Sequence, residues 1–103
     1  MKSNKPSIVR SNEIYQRAKN IIPAGSQTFS KGVTQFVDGF APKYLARGAG
    51  CKVWDVDGNE YIDYVLSWGP LAAGHAPPAV VKAVSQAAGR GTSYGAPTGA
   101  ETE

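Results

Sequence analysis

At 103 residues the chain has room for one small domain, which buries only somewhat over half of the surface its unfolded form exposes. A hydrophobic content of 42% argues against intrinsic disorder, no apolar run approaches the roughly 18 residues of a membrane span, and the N-terminal MKSNKPSIVRSN lacks the apolar core of a secretory signal. The net charge of +3 is dispersed, which speaks against a nucleic-acid surface, and one cysteine, Cys51, has no internal disulfide partner, which fits a reducing, cytoplasmic compartment.

Taken in order, residues 1–10 carry Pro6 and little periodicity and read as a mobile arm. Ser11 is a plausible N-cap; Glu13 sits in the first turn, and Ile14, Ala18, Ile21 and Ile22 recur at helical spacing until Pro23 ends the run. Residues 24–40 mix Gly, Ser, Thr, Gln and Phe with no period and predict a long irregular loop, of the kind that is either flexible or functional. Lys43 to Arg47 reads as a short strand, with Gly48-Ala49-Gly50 as the turn after it.

The densest structural grammar lies in KVWDVDGNEYIDYVLSWGP, residues 52–70. Val53 and Trp54 open one β-prone run, Asp57-Gly58-Asn59 supplies a turn, and Tyr61 to Leu66 forms a second run, so a three-stranded antiparallel meander is expected. Alternation makes Ile62, Tyr64 and Leu66 the more apolar, inward face. Asp55, Asp57 and Asn59 are turn residues and not a calcium loop, because the sixth and twelfth positions counted from Asp55 are Glu60 and Leu66 in place of Gly and Glu. Gly69 and Pro70 break the pattern abruptly, and Trp68 on that break is either a lid over a small core or a wall of a pocket.

Pro77 and Pro78 are placed to start a helix, Val80, Val81, Val84, Ala87 and Ala88 continue it, and Gly89 stops it. His75, the single histidine, has no second ligand at metal spacing and no paired Ser or Cys, so a structural or solvent-facing role is expected. Residues 89–93 are Gly-rich, but no helix opens behind them, and they read as a helix stop and linker instead of a phosphate cradle. Thr98 and Glu101 have capping-box spacing, and a helix begun there ends within its first turn, which points to a chain that stops short.

The order VWDVDGNEYIDYV, SWGP, GH followed by Pro, a helix, and SYGAPT with a Glu beyond, together with IIPAG upstream, resembles the N-terminal part of class III pyridoxal-phosphate (PLP) aminotransferases. Within them it is most similar to the glutamate-1-semialdehyde aminomutase branch. The resemblance spans residues 14–101, and members of that family are several times longer. It implies an α+β segment of helix, three-stranded antiparallel meander and second helix, being the front of a fold-type I transferase whose large α/β domain is missing here. Residues 11–97 would belong to the small domain and 98–103 to the start of the large PLP-binding one.

The same resemblance implies an enzyme that, when complete, moves an amino group by way of pyridoxamine phosphate. Its substrate would be a small amino or keto compound bearing a carboxylate, and it would work as a homodimer, with no nucleic-acid or membrane partner. The Schiff-base lysine, the acid on the pyridine nitrogen and the phosphate donors would lie outside this chain, so no residue here is a catalytic or cofactor-binding candidate and the chain alone is expected to be inactive and not to bind PLP. Aligned on Pro23 and Gly25, the residues implied to reach the substrate are Thr28 and Lys31, with Trp68 as a pocket wall. The branch typically carries Arg where Lys31 stands, a bidentate fork in place of a point charge. A different-class reading is a non-catalytic α+β interaction module that reuses this front end.

Overall fold

The computed structural model describes residues 5–101, with the side chain of Glu101 excepted. Two helices, α1 (Val9–Ala18) and α2 (Pro78–Ala88), flank an antiparallel sheet in the order β1 (Leu45–Ala49), β2 (Lys52–Asp55), β3 (Glu60–Ile62). The expected helix, meander and second helix are all present. Short 3-10 turns at Pro23–Gly25, Phe29–Lys31 and Val33–Gln35 carry the long irregular segment between α1 and the sheet.

Helix α1 starts at Val9, two residues inside the stretch expected to be a mobile arm, and Ser11 is a fully buried helical residue, not the N-cap. The first-turn amides of Arg10 and Ser11 donate instead to the two carboxylate oxygens of Asp57, at 2.7 and 2.9 Å. A side chain from the turn between β2 and β3 does the work expected of a local cap. Residues 11, 14, 15 and 18 form the covered face. The helix ends at Ala18, short of Pro23, and Ile21 lies exposed beyond it. The chain then turns back at Gly25, whose positive φ of 70° and closeness to the Tyr15 ring leave no room for a side chain. Tyr44 ties this crossing to the sheet by donating its hydroxyl to the Gly25 carbonyl at 3.0 Å.

Strand β1 runs two residues later than expected, with a bulge between Leu45 and Arg47, and the turn into β2 is the pair Gly50-Cys51. The Asp57-Gly58-Asn59 turn forms as expected, with Gly58 at a φ of 88°. Its organiser is Asp55, only 2% exposed. Oδ1 of Asp55 accepts the amides of Asp57 and Asn59, and Oδ2 accepts the Asn59 side chain and the Tyr61 hydroxyl at 3.0 Å.

That polar anchor reverses the expected inward face of the second run. Tyr61 and Asp63 are the half-buried residues, while Ile62 is 57% and Tyr64 86% exposed, and only Leu66 of the expected inward set is partly covered. Hydrogen bonds to Asp55 and His75 hold Tyr61 and Asp63 inward more strongly than apolar alternation favours the other face.

Helix α2 begins at Pro78, after Pro77 as expected, and none of its residues is buried. Gly89 ends it in right-handed conformation; the left-handed glycine is Gly91, and the Tyr94 hydroxyl bonds the Arg90 carbonyl at 2.7 Å. Val53 and Ala18 are the buried apolar side chains among the described residues, and the Cα radius of gyration is 17.3 Å, against about 13 Å for a compact domain of this length. The segment is elongated, with most of its apolar surface uncovered.

Candidate functional site

The chain leaves β3 at Asp63 and returns at His75, and both ends are pinned to one point of the sheet. The Asp63 amide donates to the Cys51 carbonyl at 2.8 Å, while His75 and Gly50 exchange backbone hydrogen bonds at 2.8 and 2.9 Å. Side chains close the same base again, His75 Nε2 to Asp63 Oδ2 at 2.6 Å. The imidazole packs on Gly48, where any Cβ would overlap the ring. His75 is therefore structural, one of the two roles expected for it. The His75 hydrogen bond and the Leu66 amide hold the Asp63 carboxyl below the usual carboxylate range, against the effect of burial.

Between these ends the backbone makes an unusual turn. Leu66, Ser67 and Trp68 all have positive φ, at 48°, 54° and 65°, followed by Gly69 at 120°. A left-handed conformation costs about 1–2 kcal/mol per non-glycine residue, so three in a row require support from their surroundings. The support is visible. Asp63 Oδ1 accepts the amides of Val65 and Leu66 at 2.9 and 3.0 Å, and the turn closes through Trp68 N–H to the Val65 carbonyl at 3.0 Å. Trp68 stands at the tip, 76% exposed. The structure thus displays the indole; it does not use it as a lid on a core.

Thr28 and Lys31 lie together on the Phe29–Lys31 turn, which closes through Lys31 N–H to the Thr28 carbonyl at 3.3 Å. Thr28 is the extended residue that leads into the turn and Lys31 is its last residue. Both are exposed, the Thr28 hydroxyl does not cap the turn, and the Lys31 ammonium has no ion-pair partner among the described residues. No hydrogen bond or ring contact joins this turn to Trp68 among the described residues, so the chain brings two of the three expected site residues together and leaves the third on a separate loop.

Four of the other described lysines show what a committed cation looks like here, whereas Lys82, like Lys31, has no ion-pair partner among the described residues. Lys43 reaches Asn12 and Asp38, Lys52 pairs with Glu60 at 2.6 Å, and Lys5 and Lys19 lie over the rings of Phe40 and Tyr15. No described lysine is buried, as a lysine held in Schiff-base linkage by an apolar pocket would be. Among the described residues there is also no cluster of His, Cys, Asp or Glu that could hold a metal ion, and no helix long and apolar enough to cross a membrane.

The Asp63–His75 pair was not among the expected site residues. The signal was the position of the single His next to a glycine and ahead of two prolines, which marks a chain re-entering a sheet before a helix.

Known proteins match this arrangement closely. A glutamate-1-semialdehyde 2,1-aminomutase of Desulfitobacterium hafniense is 51% identical over 94 residues, 91% of this chain and 21% of the relative. A solved transaminase with PLP bound superposes with a TM-score of 0.77 at 35% identity, over 90% of this chain and 21% of that one. A glutamate-1-semialdehyde aminomutase from Pseudomonas aeruginosa superposes with a TM-score of 0.74 at 28% identity, over 86% of this chain and 19% of that one. The chain spans about a fifth of the length of the curated relatives it matches. The family described as aminotransferase class-III matches residues 37–103, well over half of the sequence, and with this fold beneath that match the chain belongs to the class III aminotransferases.

Proposed function

We propose that this chain is the substrate-facing front end of a PLP-dependent aminotransferase of the glutamate-1-semialdehyde aminomutase kind. The observation that carries the reading is the 51% identity to such an aminomutase over 91% of the chain. PLP supplies the electron sink for amino transfer and is held by residues beyond these 103; residues 98–103 lead toward that part of the enzyme. This chain's own contribution is recognition. Lys31 offers a carboxylate an exposed, uncommitted ammonium, Thr28 offers a hydroxyl from the same turn, and Trp68 walls the site from the left-handed turn. The uncovered apolar face of α2, with Val80, Val81 and Val84, packs on the remainder of a homodimeric enzyme.

The test is catalysis by the intact enzyme on glutamate-1-semialdehyde without a second amino acceptor or donor. An aminomutase exchanges the amino group within one molecule and turns over the semialdehyde alone. Turnover only when a separate keto acid is added would assign the enzyme to ordinary transamination, and no turnover of either kind would remove the semialdehyde as its substrate and overturn the aminomutase reading.

A further inference from the structure

The loop that displays Trp68 is closed at its base twice, by backbone and by side chains, and one carboxylate joins the two closures to the tip. Oδ2 of Asp63 takes the His75 ring at 2.6 Å, while Oδ1 takes the amides of Val65 and Leu66, the last of which opens the positive-φ run. Both side chains are largely enclosed, 12% and 20% exposed. The imidazole lies against Gly48, where only the absence of a side chain makes room for the ring. Its Nε2 is engaged by Asp63 and its Nδ1 side lies against Gly48, so both edges of the ring are committed to the base of the loop.

We propose that Asp63 is the positioning residue for Trp68, braced by His75, and that together they fix the left-handed turn that aims the indole. The inference rests on the reading of Trp68 as a wall of the substrate site. The physical need is plain: a run of three non-glycine residues at positive φ does not hold itself, and the Trp68–Val65 and Gly69–Leu66 backbone bonds that close it depend on Val65 and Leu66 being held first. Asp63 is the only side chain seen to hold those two amides among the described residues.

The experiment is a double-mutant cycle in the intact enzyme, read by kcat/KM on a carboxylate-bearing amino substrate and by hydrogen exchange across residues 64–74. Asp63→Ala is expected to lower kcat/KM by about tenfold or more, mainly through KM, and to speed exchange at residues 65–68. In a Trp68→Ala background the same change is expected to cost nothing further, because what it positions is gone. His75→Gln, whose amide N–H can still reach Asp63, should stay nearer the parent in both readouts than His75→Ala.

Equal losses from Asp63→Ala with and without Trp68 would overturn the proposal, since a general loss of stability is indifferent to the indole, and so would unchanged exchange at 65–68. If Trp68→Ala alone leaves kcat/KM intact while Asp63→Ala still releases residues 65–68, the positioning stands and the substrate reading of Trp68 falls. Should Asp63→Ala fail to fold, Asp63→Asn, which keeps an acceptor for the amides and removes the charge facing His75, is expected to leave exchange at 65–68 near the parent and to lower kcat/KM no further than His75→Ala does; exchange quickened there with the acceptor retained would overturn the proposal.

Discussion

The amide of Ser11 donates to the carboxylate of Asp57 at 2.9 Å, across 46 residues of sequence, so the first turn of α1 is capped from the β2–β3 turn. One side chain therefore terminates a helix and docks it on the sheet. Asp57→Ala should cost about 1–2 kcal/mol of stability, the size of a lost N-cap, and loosen α1 before the sheet. Hydrogen exchange at residues 9–12 checks this: exchange that quickens there while residues 52–55 stay protected is the expected pattern.

Acid should act on the same contacts. Burial works against ionisation of Asp57, but its hydrogen bonds from Ser11 and Arg10 outweigh that and lower its pKa, and Asp63 is lowered by His75 and by the Leu66 amide. A depressed folded pKa means that the charged form is favoured in the native state. Its stabilisation is present above the ordinary value of 3.8 and lost as pH falls below it. Unfolding free energy measured from neutral pH downward should drop through this range, and the drop should shrink in Asp57→Asn and Asp63→Asn; an unchanged slope in both variants would contradict the assignment.

Alkali should release the hairpin by the opposite sign. Burial, then the hydrogen bond to Asp55, pushes the Tyr61 phenol up to about 12 from 10.0. The neutral phenol is the native form, so its stabilisation is complete below pH 10.0 and lost as pH rises toward about 12. Burial raises the Tyr44 phenol as well, so tyrosinate absorbance should show late-ionising phenols of which the last is missing in Tyr61→Phe.

Lys31 is expected to act on KM. Lys31→Ala in the intact enzyme removes a charge-assisted contact worth about 1.5–3 kcal/mol, raising KM for carboxylate substrates about ten- to a hundredfold with the PLP absorbance unchanged. Lys31→Arg should retain activity or shift preference among those substrates. An unchanged kcat/KM for every carboxylate substrate tried with Lys31→Ala would reduce the 24–40 segment to a connector.

Gly48→Ala should behave as a remote mutation of the Trp68 loop. Its new methyl would overlap the His75 ring, and relief requires the ring to move off Asp63. We expect a loss of stability of about 1–3 kcal/mol, typical of overpacking. Exchange at 65–68 should quicken as it does when Asp63 is changed.

What the sequence disclosed follows from the range of the forces involved. Asp57-Gly58-Asn59 and Pro77-Pro78 act on their own backbone, so the turn and the start of α2 could be read locally. The α1 cap could not, because the acceptor is Asp57 and not the nearby Ser11 hydroxyl. Nor could the inward face of β3, since Tyr61 and Asp63 are drawn in by Asp55 and His75 against an alternation that favoured Ile62 and Tyr64. Of the site, Thr28 and Lys31 fall on one short turn because they are three residues apart in sequence, whereas the left-handed run under Trp68 and the carboxylate that supports it depend on two residues brought together only by folding.

Cys51 is exposed, and its own carbonyl accepts the amide of Asp63 where the Trp68 loop leaves the sheet. The chain thus carries a single native thiol at the hinge of the loop, away from its tip. A small fluorophore or spin label attached there would report opening and closing of that loop without altering the indole, the paired carboxylate or the imidazole that hold its shape.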